Sequence, residues 1–133
     1  MSKRRSLFSR VRKKVLFVDD EEDVLDTISD LLKHNNYEVI ATSDPREVIK
    51  LSRRLRPDVI VLDIFMPDID GGTLAAMLRE DRFTNKIPVI FLTGLMTKSE
   101  EAKSVISNLQ CKVLAKPCSR EELLNAIREA ISS

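Results

Sequence analysis

Residues 15–20 read VLFVDD, so that four apolar side chains are followed at once by two acidic ones. Residues 59–63, VIVLD, repeat this arrangement farther along the chain. Short runs that are almost wholly apolar are typical of strands covered on both faces in a parallel sheet. Three further runs have a similar length, and the sequence therefore predicts five strands: Val15–Val18, Tyr37–Thr42, Val59–Leu62, Val89–Leu92 and Lys112–Ala115.

Amphipathic segments separate these runs, and their apolar residues recur at the spacing of one helical face. Asp44-Pro45 offers an N-cap followed by proline at the first helical position. Ser119 and Glu122 form a capping box before the last helix. The apolar stripes that predict the helices are Val24, Ile28, Leu31 and Leu32; Val48, Leu51 and Leu55; Ala102, Val105, Ile106 and Leu109; and Leu123, Leu124, Ile127 and Ile131.

The remaining helix is predicted over Thr73–Glu80, after a loop that contains Gly71-Gly72. Five strand–helix units in series predict an α/β fold, a doubly wound five-stranded parallel sheet with right-handed crossovers and helices on both faces. Residues 14–133 are expected to form this one domain. Residues 1–13 are expected to be a basic, flexible leader.

The net charge of +1 is unevenly distributed along the 133 residues. Residues 1–14 contain seven basic side chains and no acidic one, so the remainder carries a charge of −6. An acidic domain argues against direct DNA binding by this chain. An alternative stays open for the leader, because it contains the apolar residues Leu7, Phe8 and Val11: it could form a helix that docks on a partner or on a membrane surface. No apolar run approaches the ~20 residues of a membrane span.

Cysteine and histidine chemistry is not expected. Cys111 and Cys118 are separated by a predicted strand that holds them roughly 20 Å apart, beyond disulfide reach. With His34 as the one histidine, neither a zinc site nor a Cys–His nucleophile pair can be assembled. Cys118 is interpreted as a small buried apolar side chain rather than a redox sensor.

Polar residues follow the predicted strands: Asp19-Asp20 the first, Asp63 the third, Thr93 the fourth and Lys116 the fifth. The functional crevice of an open α/β sheet lies outside the carboxyl ends of its strands. Carboxylates that meet there repel one another unless a cation joins them, and oxygen ligands with waters suit Mg²⁺ better than Ca²⁺. A lysine and a hydroxyl beside a free carboxylate suit phosphoryl transfer, in which the carboxylate can be the nucleophile.

Four motifs in this order resemble the receiver domain of two-component response regulators, the CheY-like family. They are Asp19-Asp20, the segment from Asp63 through Met66-Pro67 to Asp70-Gly71, Thr93, and Lys116-Pro117. The resemblance covers roughly residues 14–131. It implies a flavodoxin-like (βα)5 sheet of order 2-1-3-4-5 and a cytoplasmic phosphorelay protein.

The resemblance also implies which residues carry the reaction. Asp63 would accept a phosphoryl group from a sensor histidine kinase or a histidine phosphotransfer protein. Mg²⁺ would be held by Asp20, Asp63 and the backbone carbonyl of Phe65, with Asp19 binding mainly through water. Lys116 would pair with Asp63 and then with its phosphate.

The hydroxyl of Thr93 would bond a phosphoryl oxygen and so start a switch in the region that includes Gly94, Leu95 and Val113. Relatives often carry Tyr or Phe where this chain has Val113, so the usual ring movement cannot operate. Either a packing shift around Val113, Phe91 and Leu95 replaces it, or the output differs. The peptide bond before Pro117 is expected to be cis, as in relatives.

Output is expected through the surface of the fourth helix, the fifth strand and the fifth helix, where an unidentified protein would bind. If the chain is complete at residue 133, it is expected to act through protein contact, with or without a phosphorylation-dependent homodimer; if it is a fragment of a longer regulator, the output part lies outside it. Phe65 and Leu95 flank the approach to the phosphoryl group as the resemblance places them. Either they exclude water and prolong the phosphorylated state, or they only pack against the loop.

Two other classes of function stay open. A phosphohydrolase similar to the haloacid dehalogenase group needs a second aspartate two residues after its nucleophile, and Phe65 occupies that position. A receiver-like module that only binds a partner would be marked by loss of the acid pair, the acceptor or the lysine. All of these are present.

Overall fold

The computed structural model describes residues 12–63, 71–93, 112–115 and 118–132. A five-stranded parallel sheet of order β2-β1-β3-β4-β5 runs through it, which confirms the predicted fold. The strands are β1 (Lys14–Val18), β2 (Glu38–Thr42), β3 (Val59–Asp63), β4 (Val89–Thr93) and β5 (Lys112–Ala115). The helices are α1 (Glu22–His34), α2 (Val48–Leu55), α3 (Gly71–Glu80) and α4 (Arg120–Ser132), with a 3-10 turn at Pro45–Glu47.

The helix predicted around residues 102–109 lies outside the described residues. Within the described part of the chain, no helix combines the length and the apolar character that crossing a membrane requires.

The neighbouring strands β1 and β3, inside the sheet, are buried on both faces. Every residue of β3 is buried, as is every residue of β1 after Lys14. Alternate side chains enter different cores: Leu16 and Ile60 pack with α2 and α3 on one face, whereas Phe17 and Val61 pack with α1 and α4 on the other. Because each face needs its own apolar residues, the runs that predict these strands are continuous rather than alternating.

Helix starts follow the predicted capping residues. Asp44 Oδ1 accepts a hydrogen bond from the Arg46 amide at 2.9 Å, and Ser119 and Glu122 bond each other's amides at 2.8 and 3.0 Å. The Asp44 cap opens the 3-10 turn, from which α2 continues. The helix expected to begin at Thr73 begins two residues earlier, because glycine accepts helical backbone angles at a propensity cost of only about 1 kcal/mol.

Cys118 is half-buried and packs against the core beneath α1 and α4. It is therefore less buried than the sequence interpretation assumed, because it precedes α4 at the rim of the sheet. Cys111 lies outside the described residues.

Two buried hydroxyls in this fold have opposite energetic roles. Ser52 on α2 is fully buried, and its Oγ has no hydrogen-bond partner among the residues that the structure describes. We expect Ser52→Ala to raise the free energy of unfolding by about 1 kcal/mol, because it removes an unsatisfied buried group.

Thr84, in contrast, donates its hydroxyl to the Leu78 carbonyl at 2.6 Å. Thr84→Val should therefore lower the free energy of unfolding by about 1–2 kcal/mol. Urea unfolding at neutral pH measures both, and a loss of stability in Ser52→Ala would contradict the assignment.

Candidate functional site

The carboxyl ends of the strands bring the predicted site residues to one edge of the sheet. Val18 pairs with Leu62 across β1 and β3, so Asp19 and Asp63 leave neighbouring strands at the same level. On the other side of β3, Asp63 pairs with Leu92, and Thr93 is the next residue of β4. This edge therefore carries two aspartates and the end of β4 side by side.

Asp19 is held from two directions. Its backbone amide donates to the Thr42 carbonyl at the end of β2, at 3.3 Å. Its side chain is fully buried, and Oδ1 accepts a hydrogen bond from the Glu21 amide at 3.0 Å. An aspartate that bonds the amide two residues on makes a turn of its own. This turn redirects the chain from β1 into α1 and fixes the carboxylate at the sheet edge.

The same turn gathers three carboxylates. Oxygen atoms of Asp19, Asp20 and Glu21 lie within 4.8 Å of one another. The first two were predicted from the sequence as site residues, whereas Glu21 was not. The signal in the sequence was an aspartate followed two residues later by a residue other than proline, because an aspartate often accepts a hydrogen bond from that amide. This bond brings Glu21 close to Asp19. The carboxylate of Asp63 is not part of this group of three.

Asp63 itself is only 6% exposed at the end of β3. A buried carboxylate beside a second buried carboxylate is unfavourable unless positive charge accompanies the pair. Hard oxygen ligands of this kind fit Mg²⁺, which binds to one or two protein carboxylates and retains several waters. Asp20 and Glu21 are exposed, so solvent reaches the group. The donor set of this edge therefore suits a hydrated divalent cation.

The remaining predicted site residues fall largely outside the described part of the chain. This holds for Phe65, Gly94, Leu95, Lys116 and Pro117, while Thr93 is described only as the last residue of β4. Val113 of β5 is half-buried, pairs with Phe91 and packs against the core that contains it. This predicted switch residue therefore contacts the core from β5.

The chain was compared with models of known protein families. The model of the family described as "Response regulator receiver domain" matches residues 15–128 of the chain. The chain belongs to this family. Receiver domains are signalling switches of two-component systems, and they accept phosphoryl groups from histidine kinases.

Individual relatives agree with this membership. The polar-differentiation response regulator DivK of Brucella anthropi is 32% identical over 117 residues, which cover 87% of this chain and 94% of DivK. Other curated relatives, 33–35% identical, are longer, and the matched part makes up 17–47% of their length.

Solved receiver structures agree as well. A response regulator structure from Chloroflexus aurantiacus superposes with a TM-score of 0.83 at 26% identity, over 92% of this chain and 99% of that one. The receiver domain of the sensor histidine kinase PA1611 from Pseudomonas aeruginosa has the same fold, with a TM-score of 0.83 at 24% identity over 92% of this chain and all of that one. That domain carries a magnesium ion in its active-site cleft.

Proposed function

We propose that this receiver domain is a phosphoacceptor switch and that Asp63 is the residue that is phosphorylated. The observation that supports it is a carboxylate only 6% exposed at the end of β3, next to the buried Asp19 that follows β1. An Asp63 oxygen attacks the phosphorus of a phosphohistidine. The P–N bond breaks as the P–O bond forms, and the leaving imidazole takes up a proton.

Asp19, Asp20 and Asp63, with the Phe65 carbonyl, would hold Mg²⁺. A bound Mg²⁺ would supply positive charge where the phosphoryl oxygens develop negative charge. Glu21 extends this set, because its carboxylate lies within 4.8 Å of the oxygens of Asp19 and Asp20. The hydrogen bond from the Glu21 amide fixes one Asp19 oxygen in place, and Asp19 would bind the ion mainly through water.

Lys116 and Thr93 complete the proposed site as the cation and the hydroxyl that bind the phosphoryl group. The change is carried through Gly94, Leu95 and Val113 to an output surface that includes β5 and α4. The donor is a sensor histidine kinase or a histidine phosphotransfer protein, and the protein works in the cytoplasm. We assign this activity to residues 14–133 and treat residues 1–13 as a separate basic leader.

Phosphate incorporation from acetyl phosphate tests this proposal. We expect the purified chain to gain one phosphoryl group in the presence of Mg²⁺, seen by intact-protein mass spectrometry, and to lose this labelling when EDTA is added. Beryllofluoride should shift the amide resonances of Thr93 and Ala115 at the ends of β4 and β5. A chain that acquires neither label nor shifts under conditions that load another receiver domain would be a binding module instead.

A further inference from the structure

Phe83, in the turn between α3 and β4, exposes an aromatic ring to solvent. It is 52% exposed and, with Met77, is one of two large apolar side chains exposed among the described residues. The guanidinium carbons of Arg56 and Arg82 lie over this ring, 6.0 and 5.4 Å from its centroid. Arginines at this distance are attracted to the face of the ring. We call Arg53, Arg56, Arg82 and Phe83 the arginine–phenylalanine surface.

Hydrogen bonds hold this surface in place. Arg53 extends from α2 and donates through Nε to Asp81 Oδ2 at 2.6 Å, although 56% of its side chain stays exposed. Asp81 Oδ1 accepts from the Phe83 amide at 2.8 Å, which fixes the turn that presents the ring. The hydrogen bond from Arg53 also lowers the pKa of Asp81. A preorganised side chain loses less entropy when a partner binds.

The charge of this region is opposite to that of the domain around it. Residues 50–58 and 79–88 contain seven basic and three acidic side chains, whereas residues 15–133 carry a charge of −6. Two of the three acids are already engaged, Asp81 by Arg53 and Asp58 by the Lys14 amide at 2.8 Å. A partner that meets this surface therefore finds guanidinium groups, which bind carboxylates.

The surface lies at the opposite edge of the sheet from Asp63. The Leu55 carbonyl at the end of α2 accepts from Lys14 Nζ, at the start of β1. The turn of Phe83 leads to Pro88, whose carbonyl accepts from the Ile60 amide near the start of β3. Strands of five residues separate the two edges by about 15 Å, so a phosphoryl group at Asp63 has no direct contact with this surface.

We propose that the arginine–phenylalanine surface binds an acidic protein segment that carries an apolar anchor residue, and that it does so whether or not Asp63 is phosphorylated. Phe83 supplies the apolar contact, and Arg56 and Arg82 bind carboxylates on either side of it. Aromatic and arginine side chains of this kind dominate binding energy at protein interfaces. The surface would hold the receiver domain on a partner protein independently of the phosphorylation of Asp63.

Fluorescence anisotropy with two labelled probes tests the proposal. One is a glutamate peptide with a Trp-Leu pair at its centre, and the other has glycines in place of that pair. The wild type should bind the first at least about tenfold more tightly than the second, and Phe83→Ala should remove this difference. Arg56→Gln and Arg82→Gln should each weaken the first peptide several-fold, with an effect that added salt reduces.

Met77→Ala is the matched control, because Met77 is an exposed apolar residue (43%) on α3 that does not belong to the arginine–phenylalanine surface. This substitution should leave the affinity unchanged. The variants of Phe83, Arg56, Arg82 and Met77 replace exposed side chains, and circular dichroism checks that all variants fold. Equal affinity for the two peptides would overturn the proposal, as would tighter binding of a single-stranded oligonucleotide of the same charge. Asp63→Asn should bind as the wild type does; a changed affinity would overturn the claimed independence. Because no phosphoryl group is needed, the outcome stands apart from that of the labelling experiment.

Discussion

Asp63→Asn should abolish phosphate incorporation from acetyl phosphate, lowering its initial rate by more than about a hundredfold. The amide has nearly the shape of the carboxylate but lacks a nucleophilic oxygen. Since Asp63 is buried at the end of β3, an isosteric change should preserve the packing around it. Mass spectrometry of the intact protein after a timed reaction measures the rate.

Asp58→Asn provides the matched control at the other end of the same strand. Asp58 precedes β3, and its carboxylate accepts a hydrogen bond from the Lys14 amide, a bond that an asparagine oxygen can still accept. This variant should be labelled at the rate of the wild type. Labelling of Asp63→Asn at that rate would move the acceptor to another carboxylate, with Asp19, Asp20 and Glu21 as the first to examine.

The second large effect is expected for Asp20→Asn, which should weaken Mg²⁺ binding at least about tenfold. Asp20 is exposed, so the loss comes from the missing ligand charge rather than from unfolding. Without Mg²⁺ the variant should be as stable as the wild type or more so, because a repulsive negative charge is gone. Urea unfolding over a series of Mg²⁺ concentrations reports both quantities, since a ligand that binds only the folded state raises its stability.

Glu22→Gln is the corresponding control for charge. Glu22 is an exposed acid in the first turn of α1, immediately after the group of three carboxylates. Its neutralisation should remove only the interaction with the helix dipole, about 0.3–1 kcal/mol, and leave Mg²⁺ affinity within about twofold. If both variants weaken Mg²⁺ binding equally, the ion is attracted by a diffuse acidic surface and not by a defined ligand set.

Much of the fold could be predicted from the sequence because the central strands are continuous apolar runs. The run Val59–Leu62 is apolar at every position, as is typical of a strand in a sheet that is covered on both faces, and β3 is buried throughout. Strand order is a different matter, since apolar periodicity does not say which strands are neighbours. The order was available only from the resemblance to receiver domains, and the observed pairing of β1 with both β2 and β3 agrees with it.

The candidate site was predicted less completely. Asp19, Asp20 and Asp63 were identified because they directly follow predicted strands, and residues that follow parallel strands lie at the same edge of the sheet. Glu21 was missed, because acidic residues at a helix start already have an explanation in the helix dipole. Its position depends on a side chain–backbone hydrogen bond to Asp19, which the hydrophobic pattern does not encode.

β5 contains no buried residue, in contrast to β3. It has four residues and is an edge strand that pairs with β4, whereas every residue of β3 is buried. Opening β5 therefore costs far less free energy than opening β3, and amide hydrogens there should exchange with solvent sooner. A binding partner that covers β5 can supply the burial that the domain itself leaves incomplete, and so lengthen the lifetime of whichever arrangement it contacts.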